Sequence, residues 1–365
     1  MQNDSMRFTP LSGACAATYF AGANTADGFR GAYADWIREE ECTRLFILKG
    51  GSGTGKSSLM KACAAAAPAG CAVTLLLCSS DPASADAVIL THPDGRRAAI
   101  LDGTAPHTVD PALPGAVGEI VNLGAFWDAD ALAARREEIA AHTAQKADAY
   151  RRAYRYLAAE REITRGVRAL LDECVLHGKL EAAAARALAG LPSGKGEAET
   201  VRITYALSMT GAYHLETLRR QAARVVTVRD VSGTAGFYLS AIRRAAGKRG
   251  LPVILSPRLP DLEAPGEIWL PTAGVLFTPE AAEEGAERAV NMQRFLDRAA
   301  LAARRGRIRF GLRCAGEMRA GALAALGEAR EHHFALEEIY RAAMDFSGVE
   351  AKTEALKARI GEILG

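Results

Sequence analysis

Residues 44 to 67 read RLFILKGGSGTGKSSLMKACAAAA, and this stretch decides the fold. Leu45 to Leu48 form a short apolar run of the kind that makes a parallel strand buried on both faces. The alanine-rich segment that starts at Lys56 has high helix propensity. Between them, Gly50-x4-Gly55-Lys56-Ser57 fits the pattern GxxxxGK[ST] in full. Strand, glycine loop and helix, in that order, form the context in which this pattern cradles phosphate. Glycines let backbone N–H groups turn inward with no side chain in the way. The loop leads into a helix N-terminus, whose free N–H groups and dipole favour an anion.

Working outward, Val73 to Leu77 is a second apolar run and ends in CSSDP, while Ala98 to Leu101 is a third and ends at Asp102. Strands alternating with helices predict an α/β fold with a mostly parallel sheet and crossover helices. From about Phe126 to Lys179 the chain turns rich in Ala, Glu and Arg. Apolar positions such as Tyr150, Tyr154, Leu157 and Ile163 recur there at helical spacing. One or two long helices are expected, followed by a linker at 190–197, GLPSGKGE.

The chain also resembles itself. At an offset of 169, VNLGAFWDADALAARREEI (Val121–Ile139) lies over VNMQRFLDRAALAARRGRI (Val290–Ile308). Alanine-rich helices match cheaply, but Asn122/Asn291, Phe126/Phe295 and Asp128/Asp297 do not. At an offset of 180, RLFILKGGSGTGKSSL lies over RVVTVRDVSGTAGFYL. The second unit is therefore eleven residues shorter between these blocks. The reading is a tandem duplication of P-loop-like modules, each followed by a helical extension. Residues 1–125 form the P-loop module and 126–200 its helical extension and linker. Residues 201–290 form a degenerate P-loop-like module and 291–365 a C-terminal helical extension.

Composition narrows the function classes. Lys and Arg number 45 against 43 Asp and Glu, so no global field drives non-specific binding to nucleic acid or membrane. The seven cysteines show no CxxC spacing, which argues against a zinc site and a secreted disulfide framework. No run of 18 apolar residues suits a membrane span. The first twenty residues, MQNDSMRFTPLSGACAATYF, do not read as a signal peptide. A cytoplasmic, reducing compartment is expected.

Chemistry then follows residue by residue. Gly50, Gly51, Ser52, Gly53, Thr54, Gly55, Lys56, Ser57 and Ser58 form the expected phosphate cradle. Lys56 supplies positive charge to the β- and γ-phosphates, and Ser57 a hydroxyl ligand for Mg²⁺. Asp102 ends a buried strand after the loop, where the second Mg²⁺ partner belongs. Gly103 follows it, so the catalytic Glu often placed there is missing. Thr104, His107, Asp110 and Asp81 lie at strand ends where an attacking group would be oriented. Asp81 before Pro82 also suits a turn, and His107 a loop hydrogen bond. In the second copy, DVSGTAGFY, Asp230 replaces the first Gly, Gly236 replaces Lys56 and Phe237 replaces Ser57. No Asp in GVLFTPEA matches Asp102. The second half is read as a P-loop fold without a working site.

Together YFAGANTADGF, LKGGSGTGKSSLMK, CSSDP, LDGTAPHTVDPALPGAVGEIVNLG and the tandem layout resemble a bacterial family of uncharacterised ATP-binding proteins, described as ATPases, with two P-loop modules. The resemblance covers most of the chain and implies ATP as the nucleotide. It supplies no reaction, and the degenerate second loop departs from the family's pattern. Tyr19, Phe20 and Asn24 suit either a base pocket or packing on the second module, and packing is favoured. Arginine–aromatic segments such as RRAYRYLAAEREITRGVR invite nucleic acid, but interleaved acids favour a solvated, ion-paired face. The expectation is an Mg-ATP-binding protein that hydrolyses ATP slowly at one site. The alternatives are a small-molecule kinase using Asp81 as base, or an ATP-dependent switch. Arg229, Arg243, Arg244 and Arg258 of the second module are candidates to complete the first site from outside.

Overall fold

A computed structural model describes residues 6–7, 15–105, 108–194, 196, 199–279 and 288–365. The first half opens with β1 (Met6–Arg7), β2 (Cys15–Phe20) and a hairpin of β3 (Gly22–Thr25) and β4 (Gly28–Gly31). Then come β5 (Arg44–Lys49), α1 (Lys56–Ala65), β6 (Ala72–Leu77), β7 (Ala85–Thr91), β8 (Arg97–Asp102) and β9 (Gly118–Asn122). Three helices follow: α2 (Ala129–Ala134), α3 (Arg136–Asp172) and α4 (His177–Ala187). The second half repeats the series. It runs through β10 (Glu199–Val201), β11 (Tyr205–Ser208), β12 (Gly211–His214), α5 (Thr217–Gln221), β13 (Arg224–Arg229) and α6 (Ala235–Lys248). It ends with β14 (Val253–Arg258), β15 (Asp261–Leu270), β16 (Val275–Thr278), β17 (Arg288–Asn291), α7 (Arg298–Ala342) and α8 (Phe346–Leu364).

Each half builds a six-stranded sheet. The order is β2-β6-β7-β8-β5-β9 in the first and β10-β14-β15-β16-β13-β17 in the second. Five strands of each point one way, and β7 or β15 runs against its two neighbours. The sheets are thus mostly parallel, as expected, with one reversed strand that the apolar runs did not reveal. The run ADAVILT makes β7, which turns back through His92–Arg96 into β8, with the His92 N–H donating to the Arg96 carbonyl at 2.9 Å. Registers repeat as well. Val88 pairs with Ile100 in the first sheet, and Ile268 with Phe277 in the second. The β3–β4 and β11–β12 hairpins match in the same way. Between them, the Phe20 N–H donates to the Ile203 carbonyl at 2.9 Å.

The helical extensions cross over. α3 and α7 pack side by side in opposite directions, so that Arg152 meets Glu328 and Glu160 meets Arg319. α3 carries the chain to the second half, where α4 packs on α6; α7 returns it to the first half, where α8 packs on α1. Matching hydrogen bonds fasten both junctions. The Asp128 N–H donates to the Ala343 carbonyl at 2.7 Å, and the Asp297 N–H to the Cys174 carbonyl at 2.8 Å. The repeated aspartates explain themselves here. Asp128 caps α2 through the N–H groups of Asp130 and Ala131, and Asp297 caps α7 through those of Ala299 and Ala300.

Burial follows the exchange. Leu356, Ile360 and Leu364 of α8 join Phe46, Leu48 and Ile100 in the first half's core. Leu180 and Ala184 of α4 join Val228, Ile242 and Leu255 in the second. Each such leucine or isoleucine contributes about 1.5–3 kcal/mol by leaving water. A third cluster joins the opposite faces of the two sheets, with Ile47, Leu76 and Leu101 meeting Trp269 and Leu276. No helix among the described residues is long and apolar enough to cross a membrane.

Candidate functional site

β5 delivers the chain into the glycine loop at its carboxyl end, and α1 leaves from Gly55. Gly53 and Gly55 hold φ of 70° and 86°, in the left-handed region that favours glycine. The Lys56 ammonium lies back along the loop. It donates to the carbonyls of Gly50 at 2.7 Å and Gly51 at 2.6 Å, and stands 3.6 Å from an Asp102 carboxylate oxygen. Asp102 ends β8, which pairs directly with β5, so Leu48 and Asp102 face each other in register. Its other oxygen accepts the Thr104 N–H at 2.8 Å, and the Thr104 hydroxyl donates to the Gly50 carbonyl at 2.9 Å. Ser57 Oγ accepts the Ala85 N–H at 2.9 Å, tying the loop helix to β7. Thr54 closes the loop by donating to the Gly51 carbonyl at 3.0 Å.

The loop opens into a cavity of about 790 Å³ that Ser52, Ser57, Ser58, Asp81 and Asp102 also line. Its roof comes from the other half of the chain. A Cβ on Gly53 would lie 2.7 Å from the Glu337 carbonyl and 2.9 Å from Arg341 Cγ; one on Gly51 would lie 3.1 Å from the Tyr340 ring. Val349 of α8 stands 3.3 Å from the same point on Gly55. The long helices add Lys146, Tyr150 and Tyr154 from α3, and His333, Glu337 and Arg341 from α7. Burial, together with the Lys146 charge, pushes the His333 imidazole down to about 4, so it is neutral at pH 7. Burial, reinforced by Asp81, raises the Glu337 carboxyl above its usual range. Burial lowers the Lys146 ammonium.

Sequence reasoning missed Asp86. It lies in β7, lines the cavity while only 6% exposed, and accepts the Tyr33 hydroxyl at 3.0 Å. Burial and then the Asp102 charge push its carboxyl up to about 7. The available signal was a carboxylate inside an otherwise apolar run, next to Ala85, whose N–H meets Ser57. Asp81 lines the cavity and also closes a turn, accepting the Ser84 hydroxyl at 2.6 Å. Asp110 is exposed and held by Lys49 at 2.8 Å, away from the cavity. His107 lies outside the described residues. Tyr19, Phe20 and Asn24 are buried, and Asn24 donates to the Leu207 carbonyl at 2.8 Å, as packing requires. Of that N-terminal segment, Phe29 reaches the cavity.

The second loop is built differently. The Asp230 carboxylate accepts the N–H groups of Ala235 at 2.7 Å and Gly233 at 3.0 Å, filling its own loop with an anion. Thr227 pairs with Thr278 where Ile47 pairs with Leu101, so Pro279 falls at the position of Asp102. The arginines expected to reach across do not line the first cavity. Arg243 is held by Glu199 and Arg244 by Glu181, Arg229 is exposed, and Arg258 lines a separate cavity in its own half. The reach across comes instead from α7. Comparison of the chain with protein-family models, curated proteins and solved structures found no match.

Proposed function

We propose that this chain binds Mg-ATP in the first glycine loop and hydrolyses it slowly, using residues from both halves. One observation carries this reading. A complete phosphate loop, with Lys56 and Asp102 3.6 Å apart, opens into a cavity of about 790 Å³ with further cations in its roof. That volume falls within the range of ordinary ligand sites. Loop N–H groups and Lys56 hold the phosphates, the ammonium exchanging its loop carbonyls for phosphate oxygens. The aromatic wall of Phe29, Tyr150, Tyr154 and Phe346 takes the base and sugar.

The residues present fit a magnesium ion. The Ser57 hydroxyl and the Asp102 carboxylate are hard oxygen donors beside the loop, and Mg²⁺ takes one or two protein oxygens plus phosphate and water. When bound, the ion neutralises charge on the transferred phosphoryl group. The chain's own groups supply the rest. Asp86, whose carboxyl exchanges its proton near neutral pH, accepts the proton of the attacking water, a role the position after Asp102 does not fill. Arg341 offers a planar, permanently charged fork to the γ-phosphate. Its source in the second half gives that half a part in the reaction although its own loop has Gly236 and Phe237 in place of Lys56 and Ser57.

Titration calorimetry with Mg-ATP tests the reading. One site per chain is expected, and Lys56→Ala should weaken it by tenfold or more, since a charge-assisted phosphate contact is worth about 1.5–3 kcal/mol. Phosphate release without an added acceptor identifies hydrolysis. Binding without release, restored to turnover by a small hydroxyl compound, would identify a kinase with Asp81 in the cavity as base. Unchanged affinity in Lys56→Ala would overturn the site.

A further inference from the structure

The second half carries its own cavity, of about 280 Å³, between its degenerate loop and α3 and α7. It occupies the same place relative to its sheet as the first cavity does, yet its polar lining is different. Five arginines line it: Arg161, Arg165, Arg168, Arg258 and Arg319. Three of them are held by acids. Arg161 pairs with Asp27 at 2.6 Å, Arg165 with Asp261 at 3.6 Å, and Arg319 donates to Glu160 at 2.9 Å.

Arg168 and Arg258 have no carboxylate within ion-pair distance among the described residues. Arg168 lies 4.3 Å above the Phe237 ring, and one guanidinium nitrogen is 3.2 Å from where a Cβ on Gly236 would stand. Gly236 is the counterpart of Lys56, so a cation reaches this place from α3 instead of from the loop. Burial lowers the Arg168 pKa, a sign that its charge is poorly solvated. Glu160 is 5% exposed, and its second carboxylate oxygen is buried without a hydrogen-bond partner. Apolar walls come from Val167, Leu171 and Leu312.

We infer that this cavity binds a small organic phosphate monoester, without metal. Two unpaired guanidiniums suit a phosphate dianion, because each presents a planar fork that matches two phosphate oxygens. The loop itself does not compete for that anion, since Asp230 already fills it. The apolar walls take a ring, and a donor on that ring satisfies the orphaned oxygen of Glu160.

The test uses AMP as probe, with excess EDTA, on the full-length chain carrying Lys56→Ala. One AMP per chain is expected, with adenosine and inorganic phosphate each binding at least tenfold more weakly. Arg168→Ala and Arg258→Ala should each weaken AMP by tenfold or more. Arg168→Lys keeps the charge and should retain part of the affinity, so the test survives if the alanine variant fails to fold. Arg243→Ala, outside the cavity, should bind like its parent. Absence of saturable binding below millimolar AMP, adenosine binding as well as AMP, or binding that survives both alanine substitutions would overturn the inference.

Discussion

The two glycine loops occupy the same place in sheets of one strand order, and they distribute charge in opposite ways. The first keeps its cation, Lys56, inside the loop and leaves the N–H cradle open for an incoming anion. The second keeps an anion, Asp230, inside the cradle and takes its cation, Arg168, from a helix of the other half. Loss of the lysine and gain of the aspartate are therefore coupled changes. A loop with both would pair the two internally. Conversion of one loop into the other by a single substitution is not expected on these grounds.

The sharpest way to break the comparison is through the roof. Arg341→Ala should lower turnover about a thousandfold while barely changing ATP affinity, as a transition-state contact does. Arg243→Ala and Arg244→Ala, whose guanidiniums are held by Glu199 and Glu181, should turn over like wild type. The reverse pattern would move the second half's contribution from its helix to its sheet. Phosphate release and titration calorimetry on the three variants decide this.

The exchange of helices comes next in size. Ile360→Ala in α8 and Leu180→Ala in α4 should each cost about 2–5 kcal/mol. The damage should fall on opposite halves. Amide exchange should quicken in β5 and β8 for Ile360→Ala, and in β13 and β16 for Leu180→Ala. Damage confined to each helix's own half would refute the exchange.

Asp86 separates the halves by pH, because the register places Gly266 at its counterpart. Its carboxyl is pushed from 3.8 up to about 7 in the folded chain. Between these values the folded state binds more protons than the unfolded one, so stability falls as pH rises through the window. The loss is worth about 1.4 kcal/mol for each pH unit within it. Denaturant melts at pH 5 and pH 8 should show this fall in the wild type and a flatter profile in Asp86→Asn. Parallel profiles would remove Asp86 from the titration.

The smallest contrast lies within the loops. Gly53 and Gly233 both have positive φ, of 70° and 90°, so alanine strains either by about 1 kcal/mol. Gly53 alone also meets the Glu337 carbonyl, whereas nothing lies within 4 Å of Gly233. Gly53→Ala should therefore melt lower than Gly233→Ala, and equal melting temperatures would deny the close seat of α7.

Local signals were legible because their causes are local. The strand–loop–helix of residues 44–67, Asp102 at a strand end and the capping aspartates each follow from neighbours in sequence. The repeat in element order was legible from Asn122/Asn291 and Asp128/Asp297, whose roles as caps recur. The eleven-residue deficit resolves into a β15–β16 hairpin shorter by three and a following loop shorter by eight. β7 was not read, because its apolar run lies close to β8 with only a tight turn between. The roof was not legible at all. Glu337 and Arg341 sit on a helix whose spacing reports an apolar stripe but not which sheet the stripe will cover. The arginines of the long helices did fit a solvated, ion-paired face in part, with Arg151–Asp148 and Arg304–Glu173 as surface ion pairs.

The crossing of the helices also sets an order of assembly. Translation delivers residues at roughly 5–20 per second, and early segments fold as they emerge. α4 is complete before β13 and α6 exist, so the second sheet can close at once on a helix already waiting. The first sheet has no such help. Its strands β5 and β8 emerge early, but Leu356, Ile360 and Leu364 arrive only with residues 346–364. Until then the apolar face over Phe46 and Ile100 stays open on the nascent chain, and the first glycine loop lacks its roof. The cavity over the first glycine loop is thus completed late in synthesis, in the half that was made first.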